Sequence, residues 1–101
     1  MADHITFFRM KAQPGKRQAV IDHFMRDEEQ TREAPGFVRA IVVTSSEAPD
    51  EVMAGVRFDS AENYNANSND PRTDAWYREL RTMLASDPEW FNGTLARELI
   101  R

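Results

Sequence analysis

Tyr64 and Asn67 lie three residues apart in NYNANSNDPR (63–72), a stretch with asparagine at 63, 65, 67 and 69. On a helix, residues three or four apart share a side. Tyr64, Asn67 and the flanking Asn63 then point one way, and Asn65 and Asn69 turn outward. A phenol hydroxyl beside carboxamides supplies donors and acceptors for a polar ligand. The same carboxamides would equally serve the backbone of the corner at NDPR, because asparagine competes for nearby main-chain groups.

Other residues suited to chemistry are scattered. Phe7, Phe8, Phe58, Trp76, Tyr77, Trp90 and Phe91 are flat side chains that can line a cavity for a planar ring or fill a core. Arg9, Arg39, Arg57 and Arg97 each fall inside a different expected strand, where pairing with Glu51, Asp59 or Glu98 is the expectation ahead of an anion site. The two histidines, His4 and His23, have no partner at ligand spacing and read as structural. RDEEQ (26–30) reads as a solvated helix face, so no metal site is expected.

These residues need elements to hold them. HITFFRMKA (4–12) is rich in β-formers and ends at the Pro-Gly turn QPGK. Helical periodicity runs from Lys16 to about Glu33, with Val20, Ile21, Phe24 and Thr31 on one face, until APG (34–36) stops it. FVRAIVVTSS (37–46) and VMAGVRFD (52–59) predict an antiparallel hairpin around EAPDE. Ser60 caps a short helix carrying Tyr64, and Asp70 with Pro71 starts another whose apolar stripe is Trp76, Tyr77, Leu80, Met83 and Leu84. SDPEWFNG breaks that helix, NGT (92–94) marks a turn, and TLARELI (94–100) is the expected closing strand.

The order β-α-β-β-α-β predicts a single α+β domain over 1–101, a ferredoxin-like four-stranded antiparallel sheet with helices on one face. Both hairpin strands carry apolar residues on both faces. Phe37, Ile41 and Val43 oppose Val38, Ala40 and Val42, and Val52, Ala54, Val56 and Phe58 oppose Met53 and Gly55. The helices of 101 residues cover one face, so a second copy packed sheet to sheet is the expected cover, a symmetric homodimer. Mid-strand Gly55 leaves room for a ligand or another backbone.

Composition narrows the classes. The chain is 41% hydrophobic and 30% charged with a net charge of −4, which argues against nucleic acid and anionic membrane as partners. It has no cysteine, no nucleotide-binding glycine fingerprint, no signal-peptide pattern and no stretch of membrane-span length. A cytoplasmic protein without flavin, haem or metal is the expectation.

KAQPGKRQAVIDHF, APGFVRAIVV, SSEAPDEV and RFDSAENYNANSNDPR run in the order seen in the antibiotic biosynthesis monooxygenase (ABM) superfamily, which the chain resembles over residues 5–100. The resemblance implies a dimeric α/β barrel with a ligand cavity between each sheet and its helices. It also implies a cofactor-independent monooxygenase acting on a quinol, anthrone or similar aromatic phenol. Tyr64 matches a tyrosine that hydrogen-bonds the phenolic substrate in similar oxygenases, whereas Phe58, Ala54 and Tyr77 stand where they carry Trp, Asn and Arg. On that reading Tyr64 bonds the phenolic oxygen and Asn67 orients it. Phe58, Trp76 and Tyr77 contact the ring, and Arg9 stabilises anionic charge where it faces the pocket. Haem-degrading relatives need a helix His, a first-strand Asn and a Trp where this chain has no His in 71–86, Phe8 and Asn67. A noncatalytic small-molecule-binding dimer is the alternative, and a structural module with a filled core is a third.

Overall fold

The computed structural model describes residues 2–101. Alternation of β-formers along His4–Lys11 builds β1, which closes at a turn where Gly15 takes φ 78°, a conformation open to glycine. The chain continues through α1 (Arg17–Met25), α2 (Glu28–Arg32), β2 (Phe37–Thr44), β3 (Glu51–Phe58), α3 (Ala61–Ser68), α4 (Pro71–Arg81) and β4 (Glu89–Thr94). All neighbouring strands are antiparallel, in the order β2-β3-β1-β4. This is the expected ferredoxin-like α+β sheet, left open, with each helical connection split into two pieces.

Two caps act where the residues foretell them. The Ser60 Oγ accepts the Asn63 backbone N–H at 3.1 Å, starting α3. Asp70 Oδ1 accepts the Arg72 N–H at 2.8 Å with Pro71 behind it, starting α4. Gly36, at φ 79°, seats the corner between them and the hairpin: a Cβ there would collide with Asp59 Oδ1 and Asn63 Nδ2.

The core lies between helices and sheet. Phe8, Met10 and Ala12 from the β1 segment, Val52, Ala54 and Phe58 from β3, Val20 from α1 and Leu80 and Leu84 from α4 and its exit are all buried. The opposite face of the sheet is bare: Phe7, Ile41, Val43 and Met53 are 37–51% exposed and Phe91 67%. Gly55 sits in its middle, and the Phe7 ring takes up the room, since a Cβ on Gly55 would lie 2.9 Å from Phe7 Cε1.

Four expectations need correction. The closing strand is Glu89–Thr94, not 94–100; residues 95–101 form no strand, so Arg97 lies in the tail. Asn92-Gly93 reads locally as a turn, but in the sheet it pairs with Thr6 and Ile5 of β1, so tertiary pairing overrides turn propensity. The expected first helix breaks at Arg26–Asp27, because Asp27 leaves the helical region (φ −109°, ψ 38°) and the acidic Glu28 and Glu29 open α2. Thr31 is consequently exposed rather than on the core face. A β-bulge between Phe37 and Arg39 turns Phe37 to the helix side, edge-on to Phe58 at 5.8 Å, and away from the face of Ile41 and Val43.

Candidate functional site

The capped start of α3 sets Tyr64 one turn in, over the ends of β1 and β3. Its ring stacks on His4, with centroids 4.3 Å apart, and meets the buried Phe58 edge-on at 5.8 Å. His4 opens β1 opposite Phe58 on one side and Thr94 on the other. Its Nε2 lies 2.7 Å from the hydroxyl of Thr6, which donates to Asn92 Oδ1 of β4 at 2.7 Å. Thr6 is fully buried. Residues two apart on a strand share a face, so the row continues to Phe8, stacked on Trp90 at 4.8 Å, with Tyr77 of α4 tilted against Trp90 at 5.9 Å. Polar groups at one end of the row thus meet flat apolar walls at the other.

The asparagine stretch divides as its spacing predicts. Asn67 is half-buried on the side of Tyr64, while Asn65 and Asn69 are exposed. Asn63 belongs to the corner, its Nδ2 donating to Asp59 Oδ1 at 2.8 Å.

Trp76 and Arg9 do not join the Tyr64 group. Trp76 clamps α4 to α1: its Nε1–H donates to the His23 carbonyl at 3.2 Å, and His23 Nε2 reaches the Trp76 carbonyl at 2.8 Å. The two rings stack at 5.1 Å, and Phe24 packs edge-on against Trp76. Arg9 points to the bare face of the sheet, opposite the helices, and pairs with Glu51 at 2.7 Å. Alternation along β1 requires this, because Phe8 and Met10 take the core side. Arg57 shares that face and bridges Asp3 and Glu98, each at 2.7 Å. These hydrogen bonds, Asp3 first and Glu98 second, raise the Arg57 guanidinium above its ordinary value.

Two surface depressions lie elsewhere. One of about 510 Å³ opens between α1 and α4, lined by Ala19, His23 and Met83 and by an Arg26–Glu79 ion pair. One of about 130 Å³ lies at Arg9, Val43 and Glu51 on the bare face. Neither includes a member of the Tyr64 group. Chemistry, rather than volume, singles out the Tyr64 group: it holds an imidazole, hydroxyls and a carboxamide beside aromatic walls. Among the described residues, no three His, Cys, Asp or Glu side chains group as metal ligands, and no helix is long and apolar enough to cross a membrane.

Sequence reasoning missed His4, Thr6 and Asn92 as a unit. The spacing of His4 and Thr6 puts both on one side of a strand, which is a usable signal. Asn92 is 86 residues from Thr6, and nothing local pairs them.

The fold has close structural relatives. The ActVA-Orf6 monooxygenase of Streptomyces coelicolor, in complex with nanaomycin D, superposes with a TM-score of 0.86 at 19% identity, covering 99% of this chain and 93% of that one. A variant of SnoaB, a cofactor-independent oxygenase from Streptomyces nogalater, superposes with a TM-score of 0.81 at 17% identity, covering 99% and 98%. A protein of unknown function from Nitrosomonas europaea is as similar, with a TM-score of 0.79, 20% identity and coverage of 100% and 97%. No curated protein matches the sequence. At such identities the likeness shows the fold, and fold alone does not carry chemistry. The sequence itself matches the antibiotic biosynthesis monooxygenase model over residues 4–79, and the chain belongs to that family.

Proposed function

We propose that the protein is a cofactor-independent monooxygenase acting on a quinol, anthrone or similar aromatic phenol, with the Tyr64 group as its site. The observation that carries this is Tyr64 stacked on His4 beside the Thr6–Asn92 hydrogen bonds, with Phe8, Trp90 and Tyr77 as adjoining flat walls. Family membership and the descriptions of two structural relatives as oxygenases support the reaction class. Electron-rich phenols reduce dioxygen themselves once deprotonated. For an anthrone, the ring CH₂ becomes C=O with one oxygen atom of O₂, and the other leaves as water. The protein need only favour the phenolate and shield it from water. Tyr64 donates to the phenolic oxygen, Asn67 orients it and Tyr77 lies along the ring. The buried Phe58 backs Tyr64 rather than touching substrate.

The working unit in this proposal is a homodimer joined through the bare sheet face. Phe7, Ile41, Val43, Met53 and Phe91 leave an apolar layer there that a second copy would cover. Ile41→Asp places a charge in that layer. The expected outcome is a folded monomer or an unfolded chain, and a dimer of unchanged strength in analytical ultracentrifugation would refute the sheet-to-sheet arrangement.

Oxygen uptake with a panel of quinols and anthrones tests the activity: consumption above the uncatalysed rate is expected. A second reading, a noncatalytic binder, is favoured by the departures at Ala54, Phe58 and Tyr77. It would show ligand-induced thermal stabilisation with no oxygen uptake.

A further inference from the structure

We infer that His4 is the general base of this site, taking the phenolic proton on Nδ1 while Thr6 and Asn92 hold its other nitrogen. This rests on the phenol-site reading above and adds a residue to it.

The hydrogen bonds set the direction of the chain. The single Thr6 hydroxyl proton is committed to Asn92 Oδ1 at 2.7 Å. Its oxygen therefore accepts, so the contact with His4 at 2.7 Å requires a proton on Nε2. In uncharged imidazole the other nitrogen then carries the free lone pair. Nδ1 has no protein hydrogen-bond partner among the described residues and is not a sealed, unpaired atom. Tyr64 stacks on the face of the imidazole, and lone pairs lie in the ring plane, so stacking orients the ring and leaves Nδ1 open.

Competing bases nearby are engaged. Asp3 pairs with Arg57 at 2.7 Å, and Asp59 accepts from Asn63 at 2.8 Å. Among the described residues, His4 combines an acceptor nitrogen without a protein partner and a stacked contact with Tyr64. The arrangement is that of an activated base: an acceptor nitrogen whose partner N–H is oriented by a third group.

In the step, the phenol O–H bond breaks and its electron pair stays on oxygen. A new N–H bond forms at Nδ1, and the imidazolium keeps its Nε2–H on Thr6. The Asn92 carbonyl at the end of the chain steadies the positive charge through the Thr6 hydroxyl. Tyr64 is left to donate a second hydrogen bond to the phenolate, beside the one from the new Nδ1–H.

Para-nitrophenol tests the inference without any oxidation, because its phenolate absorbs visible light and the neutral form does not. Bound to the unmodified protein near its own pKa, the probe's ionisation equilibrium should shift toward phenolate by roughly tenfold, the scale of one charge-assisted hydrogen bond. His4→Gln should bind the probe and lose the shift. Thr6→Val, which keeps His4 but removes the hydroxyl, should lose part of it. Nitrogen NMR of the unmodified protein gives a readout free of any folding defect: Nδ1 should become protonated as the probe binds. Equal phenolate fractions in the unmodified protein and His4→Gln, or an Nδ1 that stays unprotonated, would overturn the role of His4 and leave the phenol site standing. No binding of para-nitrophenol to the unmodified protein would overturn the site reading, and His4 as its base with it.

Discussion

The two histidines of this chain sit in outwardly similar settings and differ in what their hydrogen bonds join. Each stacks on an aromatic ring from a helix, His4 on Tyr64 and His23 on Trp76, and each uses Nε2 in a hydrogen bond of 2.7–2.8 Å. His23 is 3% exposed, and its partner is a backbone carbonyl, which Trp76 returns through its own N–H to the His23 carbonyl. That loop of donors and acceptors closes through Nε2 and holds α1 against α4. His4 is half-buried and bonds a side-chain hydroxyl that passes the interaction on to Asn92. Its chain is open at one end. What separates the two here is neither stacking nor hydrogen-bond length: His4 passes its bond to a side chain on a second strand, whereas His23 exchanges bonds with Trp76 of the helix it packs against.

Breaking the closed pair should have the largest effect. Trp76→Ala removes the ring between His23 and Phe24 and the bond to the His23 carbonyl, and should lower stability by about 3 kcal/mol. Urea denaturation measures it, and a loss below about 1 kcal/mol would mean the clamp is not a clamp. Ligand binding at Tyr64 should survive this change wherever the protein stays folded.

The open pair should respond in the opposite way. Tyr64→Phe keeps the ring on His4 and removes one hydroxyl, so stability should barely change. Affinity for a phenol should fall several-fold, as expected for a lost hydrogen bond of about 0.5–1.5 kcal/mol. Turnover should fall further than binding if the hydroxyl meets a developing phenolate. Asn67→Ala should show a smaller loss and the exposed Asn65→Ala none. Identical titrations for all three variants would reduce the asparagine stretch to a solvated corner.

The smallest effect concerns how α4, which carries Trp76, is started. Hydrogen bonds from Arg72, side chain first and backbone second, hold the Asp70 carboxyl below its ordinary value. A depressed carboxylate stabilises the fold fully above the unfolded range, near pH 4, and loses that contribution as pH falls through its folded value. Asp70→Asn keeps a capping side chain and removes the titration. Its stability should therefore decline less steeply toward acid than that of the unmodified protein. Denaturation at neutral pH and at about pH 3 checks the sign, and a steeper acid limb in the variant would contradict it.

Much of the frame was legible in local chemistry. Period-two and helical patterns located β1, β2, β3, α3 and α4, and Ser60, Asp70–Pro71 and Gly36 marked starts and corners through propensities that act within a few residues. The side shared by Tyr64 and Asn67 followed from helical spacing alone, because neighbours three apart on a helix need no third element to face together.

The residues alone thus determined the element types, their order, the ferredoxin-like fold and the two apolar faces of its sheet. Tertiary structure decided the rest. Asn92 and Gly93 carry turn chemistry, and only pairing with Thr6 and Ile5 makes them a strand. The bulge at Phe37–Arg39 and the break at Asp27 are compromises between neighbouring elements, invisible to periodicity. Arg9 and Arg57 had two faces open to them until burial of Phe8, Met10, Ala54 and Phe58 assigned the helix side to others. The His4–Thr6–Asn92 chain exists because antiparallel register sets β4 beside β1. Hydrogen bonds reach about 3 Å in space and have no reach along a sequence, so a contact across 86 residues can be made only by the fold.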